Sequence, residues 1–429
     1  MNQAFQYFYN STGLSTDTRK VNSDCLFVCI KGENFDGNTF ALKALEAGAS
    51  HVIVDNEKFY VENGEMSLVQ DSILFIQDLA NHHRKKFNIP VIGITGSNGK
   101  TTTKELVNTV LSKKFNVLAT IGNLNNHLGV PFTLLRLTDE HDIAIIEMGA
   151  NKFKDIEELC QIAEPTHGII TNIGRAHLEG FKDLAGVIKT KKELFDSIEQ
   201  SNGTIFINTD DETLTDILPE KIKSYSYGSE NKADTTGNLV ALSPFVEMTW
   251  SDSKSISDVL STQMVGKYNF YNYLAAACIG KVFDVKNEDI STAIMEYTPS
   301  NSRSQVKKTE NNTLILDCYN ANPTSMKSAL ESFALTESDS KLCIIGDMKE
   351  LGAESRLEHQ KIISLLENLK IKTWTVGEEF KTLDSPILQN QFKTALEAKE
   401  FIVENPITHS LILLKGSRSI GLEILEAQL

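Results

Sequence analysis

Apolar runs that stop abruptly against glycine or polar residues recur along most of this chain. Val91 to Ile94 runs into the turn TGSNGK, and DIAIIEMGA reaches Glu147. HGIITNIGRAH leads to His177, and GTIFINTDD closes on Asp210 and Asp211. Short apolar runs ended in this way predict buried strands of an open, mostly parallel sheet with polar groups gathered at the carboxyl ends. Residues 1–86 predict a smaller α/β unit. There LFVCIKG and HVIVD read as strands, and FALKALEAGA between them as a helix that stops at Gly48. Residues 301–429 predict a third α/β unit, whose strands TLILDCYNANP, KLCIIGDMKELG, KTWTVG and SLILLKGSRS alternate with helical stretches. Asp317, Asp347 and Lys415 close strands of that unit. The central unit spans 87–300, with Pro90 and Pro299 as candidate hinges.

The stretch VIGITGSNGKTTTKELV (Val91–Val107) carries the sharpest chemistry. A buried strand, a glycine turn and a helix with Val107, Val110 and Leu111 on one side make a cradle of backbone N–H groups for an anionic phosphate. Gly96, Ser97, Asn98, Gly99, Lys100, Thr101 and Thr102 form the cradle. Lys100 supplies a positive charge for the β- and γ-phosphates and Thr101 a hydroxyl for Mg²⁺. The common pattern has a glycine where Ile94 stands, so the turn is a shortened one. Glu147 closes a neighbouring strand where a triphosphatase keeps its Mg²⁺ carboxylate. Asn269 and Asn272, three apart on a predicted helix, could read a base edge with their amides. The cluster Ser15, Asp17, Thr18, Arg19 reads either as a solvated turn or as a grip on a nucleotide or phosphate. Asn125 and Asn126 sit in the polar loop IGNLNNHLGVP with His127.

Composition narrows the function class. With 41% hydrophobic and 23% charged residues the chain can build substantial cores, and its 429 residues allow two to four domains. A net charge of −15 argues against a general nucleic-acid or membrane-surface binder, so an anionic ligand needs a locally basic or amide-lined pocket. The six cysteines include no C-x-x-C pair and predict reduced, buried thiols. No apolar run reaches the ~18 residues of a membrane span, and the first residues lack a signal-peptide pattern. These features predict a cytoplasmic protein.

Taken together, TGSNGKTTTK, GNLNNHLGVP, DCYNANPTSM from Asp317 and GDMKELG from Gly346 followed by His359 resemble the Mur ligases, ATP-dependent amide-forming enzymes of peptidoglycan synthesis. The resemblance runs in order over nearly the whole chain. Its finer motifs are similar to the branch that joins D-alanyl-D-alanine to UDP-N-acetylmuramoyl-tripeptide. The D-N-P-R motif of the ligases that add the third residue is missing. The resemblance implies a UDP-sugar domain (1–86), a central ATP-binding domain (87–300) and a Rossmann-like ligase domain (301–429), in a monomer with no nucleic-acid partner and no stable membrane insertion. It also implies roles. Ser15, Asp17, Thr18 and Arg19 lie at the UDP-sugar substrate, and Asn125 and Asn126 help bind substrate. Gly96 to Thr102 hold the phosphates of ATP, and Thr101 and Glu147 hold Mg²⁺. Asn269 and Asn272 face adenine, while Arg303 and Asp317 reach ATP. Tyr319, Asn320 and Asn322 lie near the dipeptide or the reacting centre. Two positions depart from the family: Ser302 stands where glycine usually precedes the arginine, and Thr190-Lys191-Lys192-Glu193 stands for A-K-G-E.

The matching lysine of the family is carbamylated by CO₂ and helps a histidine, here His177, to hold a second Mg²⁺. On a helix, Val187, Ile188, Lys191, Leu194 and Phe195 share one face, which puts Lys191 inside an apolar stripe and Thr190 and Lys192 off it. A lysine at the stripe's margin with its head in water fits the same spacing. The catalytic set is then Lys100, Glu147, His177, Lys191 and Arg303, for a reaction through an acyl phosphate that forms ADP and phosphate. Rivals are a Mur-type ligase adding a single amino acid, a folylpolyglutamate-synthase-like ligase, an NTP switch and a nucleotide-binding scaffold. The folate enzymes usually carry G-K-G-S where this chain has Gly99-Lys100-Thr101-Thr102, and a GTP switch needs N-K-x-D, which Asn208-Thr209-Asp210-Asp211 does not supply.

Overall fold

The computed structural model describes residues 4–62, 64–230, 232–300 and 302–429. Among them the strands form three sheets. The first is small and wholly parallel, in the order Leu14–Ser15, Leu26–Val28, His51–Val54, Met66–Leu68. Leu26, Val28 and Ile53 pack from one of its faces against Phe75, Ile76 and Leu79 of the helix Ser72–Arg84. Phe27, Val52 and Val54 face Ala41 and Ala44 on the other side. Alternate residues of one strand therefore serve two cores, as a period of two requires.

By contacts the chain divides into two compact units. The first holds the chain through Asn88 together with His127–Thr138 and Gln161–Ala163. The helix Gly129–Leu134 thus belongs with the first sheet, where Phe132 packs into the same cluster as Phe75. The second unit holds the remainder and carries the other two sheets.

The nine-stranded sheet is parallel from Val117–Ala119 through Ile143–Glu147, Val91–Thr95, His167–Ile170, Thr204–Asn208 and Lys223–Gly228 to Thr235–Ala241. Two antiparallel edge strands, Glu247–Ser251 and Leu260–Ser261, follow. Strand order reverses around Val91–Thr95, which is where an open α/β sheet opens a crevice at its carboxyl ends. Beneath that crevice Leu106, Val107, Val110 and Leu111 of the helix Lys100–Leu111 are fully buried against the helix Tyr268–Val282. The second helix is apolar nearly all round, and a helix of that kind must be enclosed. Each such side chain contributes about 1.5–3 kcal/mol by burial, so the crevice rests on a rigid floor.

The third sheet has six strands in the order Gln305–Lys308, Thr313–Asp317, Leu411–Lys415, Lys341–Gly346, Thr373–Val376, Leu388–Phe392, all parallel except the first. The α/β class and the mostly parallel sheets expected from the apolar runs are present. All six cysteines are free and buried. No helix among the described residues is long and apolar enough to cross a membrane.

Candidate active site

The strand Val91–Thr95 is buried along its length and delivers the chain into the glycine turn. Gly96 has φ +144°, and a Cβ there would stand 2.0 Å from Thr171 Oγ1. Gly99 has φ +80°, and a Cβ would meet Asn272 Oδ1 at 2.9 Å. Only glycine satisfies both the backbone and the space at these two positions. The segment after the strand His167–Ile170 clamps the turn from the side. Ser97 N–H donates to the Asn172 carbonyl at 3.0 Å, and Asn98 N–H to Asn172 Oδ1 at 3.1 Å. The Asn98 carbonyl accepts from the Thr171 hydroxyl at 2.6 Å and the Asn172 amide at 2.9 Å. Ser97 Oγ exchanges hydrogen bonds with the backbone of Gly174. The helix Lys100–Leu111 then begins with no capping side chain. Its first N–H groups lack intrahelical acceptors, and its dipole points positive into the turn, which is what a phosphate needs.

Two oxygens at this end of the sheet stand out. Thr101 Oγ1 and Glu147 Oε2 are both buried and have no hydrogen-bond partner among the described residues. Glu147 is 1% exposed, and its other oxygen accepts from Asn125 Nδ2 at 2.7 Å. A hydroxyl and a carboxylate left unpaired in a dry crevice are costly unless a cation completes them. The donor set, all oxygen, suits Mg²⁺. Among the described residues no three His, Cys, Asp or Glu side chains converge as a metal cluster, so a metal at this pair of oxygens takes its remaining ligands from elsewhere, such as phosphate oxygens. Thr102 is buried beside Thr101, and Asn126 is exposed on the loop that carries Asn125.

Lys100 does not point freely into solvent. Its Nζ folds back on the Gly96 carbonyl at 2.8 Å. Desolvation lowers its pKa, with Glu147 opposing and Arg303 reinforcing the shift. Lys191 is 1% exposed, in the middle of the helix Leu184–Gln200 with Val187, Leu194, Phe195 and Ile198. The snorkelling alternative is therefore excluded. Its ammonium lies 5.8 Å over the Phe181 ring, and burial pushes its pKa well down, aided by the charge of Lys100. Thr190 differs from expectation. It is fully buried, its hydroxyl donating to the Gly186 carbonyl at 3.0 Å. The inward face is wide enough to take two adjacent positions, and the threonine satisfies its own hydroxyl locally. Lys192 does lie outside, paired with Asp196.

His177 reaches across to the C-terminal sheet layer, its Nδ1 2.6 Å from Glu350 Oε2 in the GDMKELG loop. That bond, more than anything else, holds the Glu350 carboxyl below its ordinary pKa. Arg175 pairs with Glu358 at 3.2 Å in the same direction. His359 is fully buried and supports that loop, Nε2 accepting from Met348 N–H at 3.0 Å and Nδ1 donating to the Ser355 carbonyl at 2.7 Å. Glu350 lies inside the GDMKELG motif, and Thr171, Asn172 and Arg175 inside the run HGIITNIGRAH, but the sequence alone singles out none of these four residues. The motif and the polar ending of the strands are the signals that point to them.

On the C-terminal side, Asn322 caps the helix Pro323–Leu335 in a capping box with Ser325, and its Nδ2 donates to Asn98 Oδ1 at 2.7 Å. Arg303 stacks on Tyr319 at 4.0 Å, with Arg418 over the same ring at 5.3 Å, and the Arg303 Nε is buried without an acceptor. Ser302 before it has φ +53°, the left-handed conformation that glycine adopts without cost. Asp317 is engaged by Lys415 at 2.6 Å, and Asn320 Oδ1 accepts from Ala321 N–H.

Asn269 and Asn272 lie on the helix Tyr268–Val282 beside the glycine turn. Both are buried, and their amides donate to the Val265 carbonyl at 2.7 Å and to Asn269 Oδ1 at 2.9 Å. Asn272 Oδ1 accepts from Thr103 at 3.1 Å. These bonds brace the glycine turn from below. In the first unit, Asp17 caps the short helix Thr18–Lys20 and takes both Arg19 Nε and Nη2 at 2.9 Å, which pulls its pKa down to about 2. Ser15 and Asp17 line an open pocket with Thr12, Lys20 and Asn22. The Arg19 side chain lies in solvent, 87% exposed.

The chain is similar to known proteins over nearly its whole length. The Mur ligase family catalytic domain matches residues 10–92, the Mur ligase middle domain 94–280, and the Mur ligase glutamate ligase domain 302–417. The UDP-N-acetylmuramoyl-tripeptide--D-alanyl-D-alanine ligase of Bacillus subtilis (strain 168) is 33% identical over 96% of this chain and 91% of its own length. The ligase of that name from Escherichia coli (strain K12) is 34% identical over 96% and 92%. A crystal structure of MurF from Acinetobacter baumannii superposes with a TM-score of 0.88 at 29% identity, covering 96% of this chain and 92% of that one.

Proposed function

The chain belongs to the Mur ligase family, and on that premise we propose that it joins D-alanyl-D-alanine to UDP-N-acetylmuramoyl-tripeptide, converting ATP to ADP and phosphate in peptidoglycan precursor synthesis. The observation that carries the reading is the pair of unpartnered buried oxygens, Thr101 Oγ1 and Glu147 Oε2, at the mouth of an uncapped helix. That pair suits a metal-bound triphosphate and little else.

A carboxylate does not acylate an amine at neutral pH, so it must first be activated. In the proposed sequence the terminal carboxylate oxygen of the tripeptide attacks the γ-phosphorus, the bond to ADP breaks, and an acyl phosphate results. The neutral amine of the dipeptide then attacks the acyl carbon, loses a proton, and phosphate leaves. The protein's contribution is positioning and charge neutralisation. The backbone of Gly96 to Thr102 cradles the phosphates. Lys100, released from the Gly96 carbonyl, and Arg303, whose Nε lacks an acceptor, neutralise the moving phosphoryl group. Thr101 and Glu147 would hold one Mg²⁺, which when bound supplies charge neutralisation to the phosphate oxygens. His177, whose Nδ1 is taken by Glu350, would have its Nε2 left for a second ion, which Lys191 as its carbamate would help to hold. Asp317 and Asn322 close the nucleotide from the C-terminal side, Asn125 and Asn126 serve the substrate, and Tyr319 and Asn320 serve the dipeptide. The Ser15–Arg19 turn serves the UDP-sugar. The domain division 1–86, 87–300 and 301–429 belongs to this reading, as does action in the cytoplasm, where ATP is supplied.

The test is direct. With ATP, Mg²⁺, UDP-N-acetylmuramoyl-tripeptide and D-alanyl-D-alanine, the protein should release phosphate and form the pentapeptide product. Omitting either acceptor or donor should stop phosphate release. Equal or better ligation of a free amino acid to the UDP-muramoyl dipeptide would sink the assignment.

A further inference from the structure

Lys104 is a charged residue that nothing in the proposed reaction uses, yet it is 1% exposed. It lies three residues after Thr101 on the helix Lys100–Leu111, hence on the same side of it. Its Nζ donates to the Thr120 carbonyl at 2.6 Å and pairs with Glu105 at 2.6 Å. An ammonium is retained in a dry interior only where its partners offset a large desolvation cost, so its contacts locate its purpose. Thr120 is itself 2% exposed and has three further bonds. Its hydroxyl accepts from the Glu147 N–H at 3.0 Å and donates to the Ile145 carbonyl at 3.4 Å, and its own N–H donates to that carbonyl at 3.0 Å. Thr120 also starts the loop that carries Asn125, whose amide fixes Glu147 Oε1 at 2.7 Å.

The chain of bonds therefore runs from the helix that carries Thr101, through Lys104 and Thr120, to the strand end that carries Glu147. We propose that Lys104 is a positioning residue for the metal site: by anchoring Thr120 it sets the separation between the two unpartnered oxygens, Thr101 Oγ1 and Glu147 Oε2. The proposal rests on the Mg²⁺–nucleotide reading of that site and does not depend on which peptide is joined. Lys104 touches neither nucleotide nor metal. It holds their ligands in register, as groups behind a metal's direct ligands commonly do.

The experiment compares the parent with Lys104→Met, which keeps the stem and removes the charge. Mn²⁺ affinity in the presence of ADP is measured by electron paramagnetic resonance, and ADP affinity is measured separately in metal-free buffer. Lys104→Met should bind Mn²⁺ about tenfold more weakly while its metal-free ADP affinity stays within about twofold, a split that general loosening of the fold does not produce. A folded Lys104→Met with parental Mn²⁺ affinity overturns the proposal, as does an equal loss in both affinities. Should that variant fail to fold, Thr120→Val removes the hydroxyl that links Glu147 and Ile145 while keeping the shape, and the same split is expected and the same outcomes decide. A parent that binds Mn²⁺ with ADP but forms no amide would refute the ligase reading and leave the role of Lys104 standing.

Discussion

Asn322 donates from its side-chain amide to Asn98 Oδ1 at 2.7 Å, tying the cap of a C-terminal helix to the nucleotide turn. One side chain thus does two jobs through different atoms, since its Oδ1 accepts from Ser325 N–H at 2.9 Å. Serine retains a cap oxygen but has no amide to reach Asn98. Asn322→Ser should therefore keep the unfolding temperature within about 2 °C of the parent, because serine and asparagine are near-equal caps. Turnover should fall by about tenfold as the two layers lose their tie at the phosphates. Thermal unfolding and initial rates on the same preparation check both halves.

Lys100→Ala should abolish ligation and leave the fold intact. Among the described residues the ammonium bonds only to the carbonyls of Gly96 and Ser97, and no core contact depends on them. Without that charge the developing phosphoryl group goes unmet, a loss on the order of a thousandfold in turnover. Turnover at more than a few per cent of the parent rate would count against the assignment.

Ser302 carries a backbone cost that glycine at the same position would avoid. At φ +53° a residue with a Cβ is strained by about 1–2 kcal/mol, while glycine loses about 0.5–1 kcal/mol through the freer unfolded chain. The two nearly offset, so Ser302→Gly should change stability by less than about 1 kcal/mol and leave turnover unaltered. Ser302→Val, branched at Cβ, should destabilise by more than that and lower the rate by misplacing Arg303. Denaturant unfolding curves for the pair decide it.

How much of this could be read in advance follows from the range of each interaction. The buried strand, the glycine turn and the helix after it are local, and the pattern of Val91 to Leu111 was enough to place them. Lys191 was legible because a single charge interrupting a helical stripe is a local anomaly. For Asn269 and Asn272 the sequence says less, because an amide that braces a turn and one that reads a base look identical in it. The brace from Asn272 to Thr103 spans 169 residues. The Asn98–Asn172 clamp spans 74 residues and the His177–Glu350 pair joins two sheet layers. Contacts of that separation leave no periodic trace.

Lys191 supports the sharpest prediction. Its ammonium lies 5.8 Å over the Phe181 ring, on a helix whose Val187, Leu194 and Phe195 are buried with it, and among the described residues it has no hydrogen bond or ion pair. Burial, and then the nearby charge of Lys100, lower its pKa far below the ordinary lysine value. The sign of the pH effect follows. Above the lowered pKa the amine is neutral, can add to CO₂, and becomes an anionic carbamate that a cation and Lys100 would welcome. Below it the ammonium dominates and the carbamate reverts. Enzyme held in CO₂-depleted buffer should lose activity, bicarbonate should restore it, and the dependence on bicarbonate should grow as pH falls. Isotopically labelled bicarbonate should give a carbamate carbonyl resonance in the parent that is missing from Lys191→Ala. That variant should lose about a hundredfold in rate, as expected for a metal-site ligand, and short carboxylic acids should recover part of it by filling the vacated space. Near-normal activity of Lys191→Ala, or a parent whose rate ignores CO₂ removal across the pH range and shows no carbamate resonance, would show Lys191 to be a buried amine with no part in the reaction.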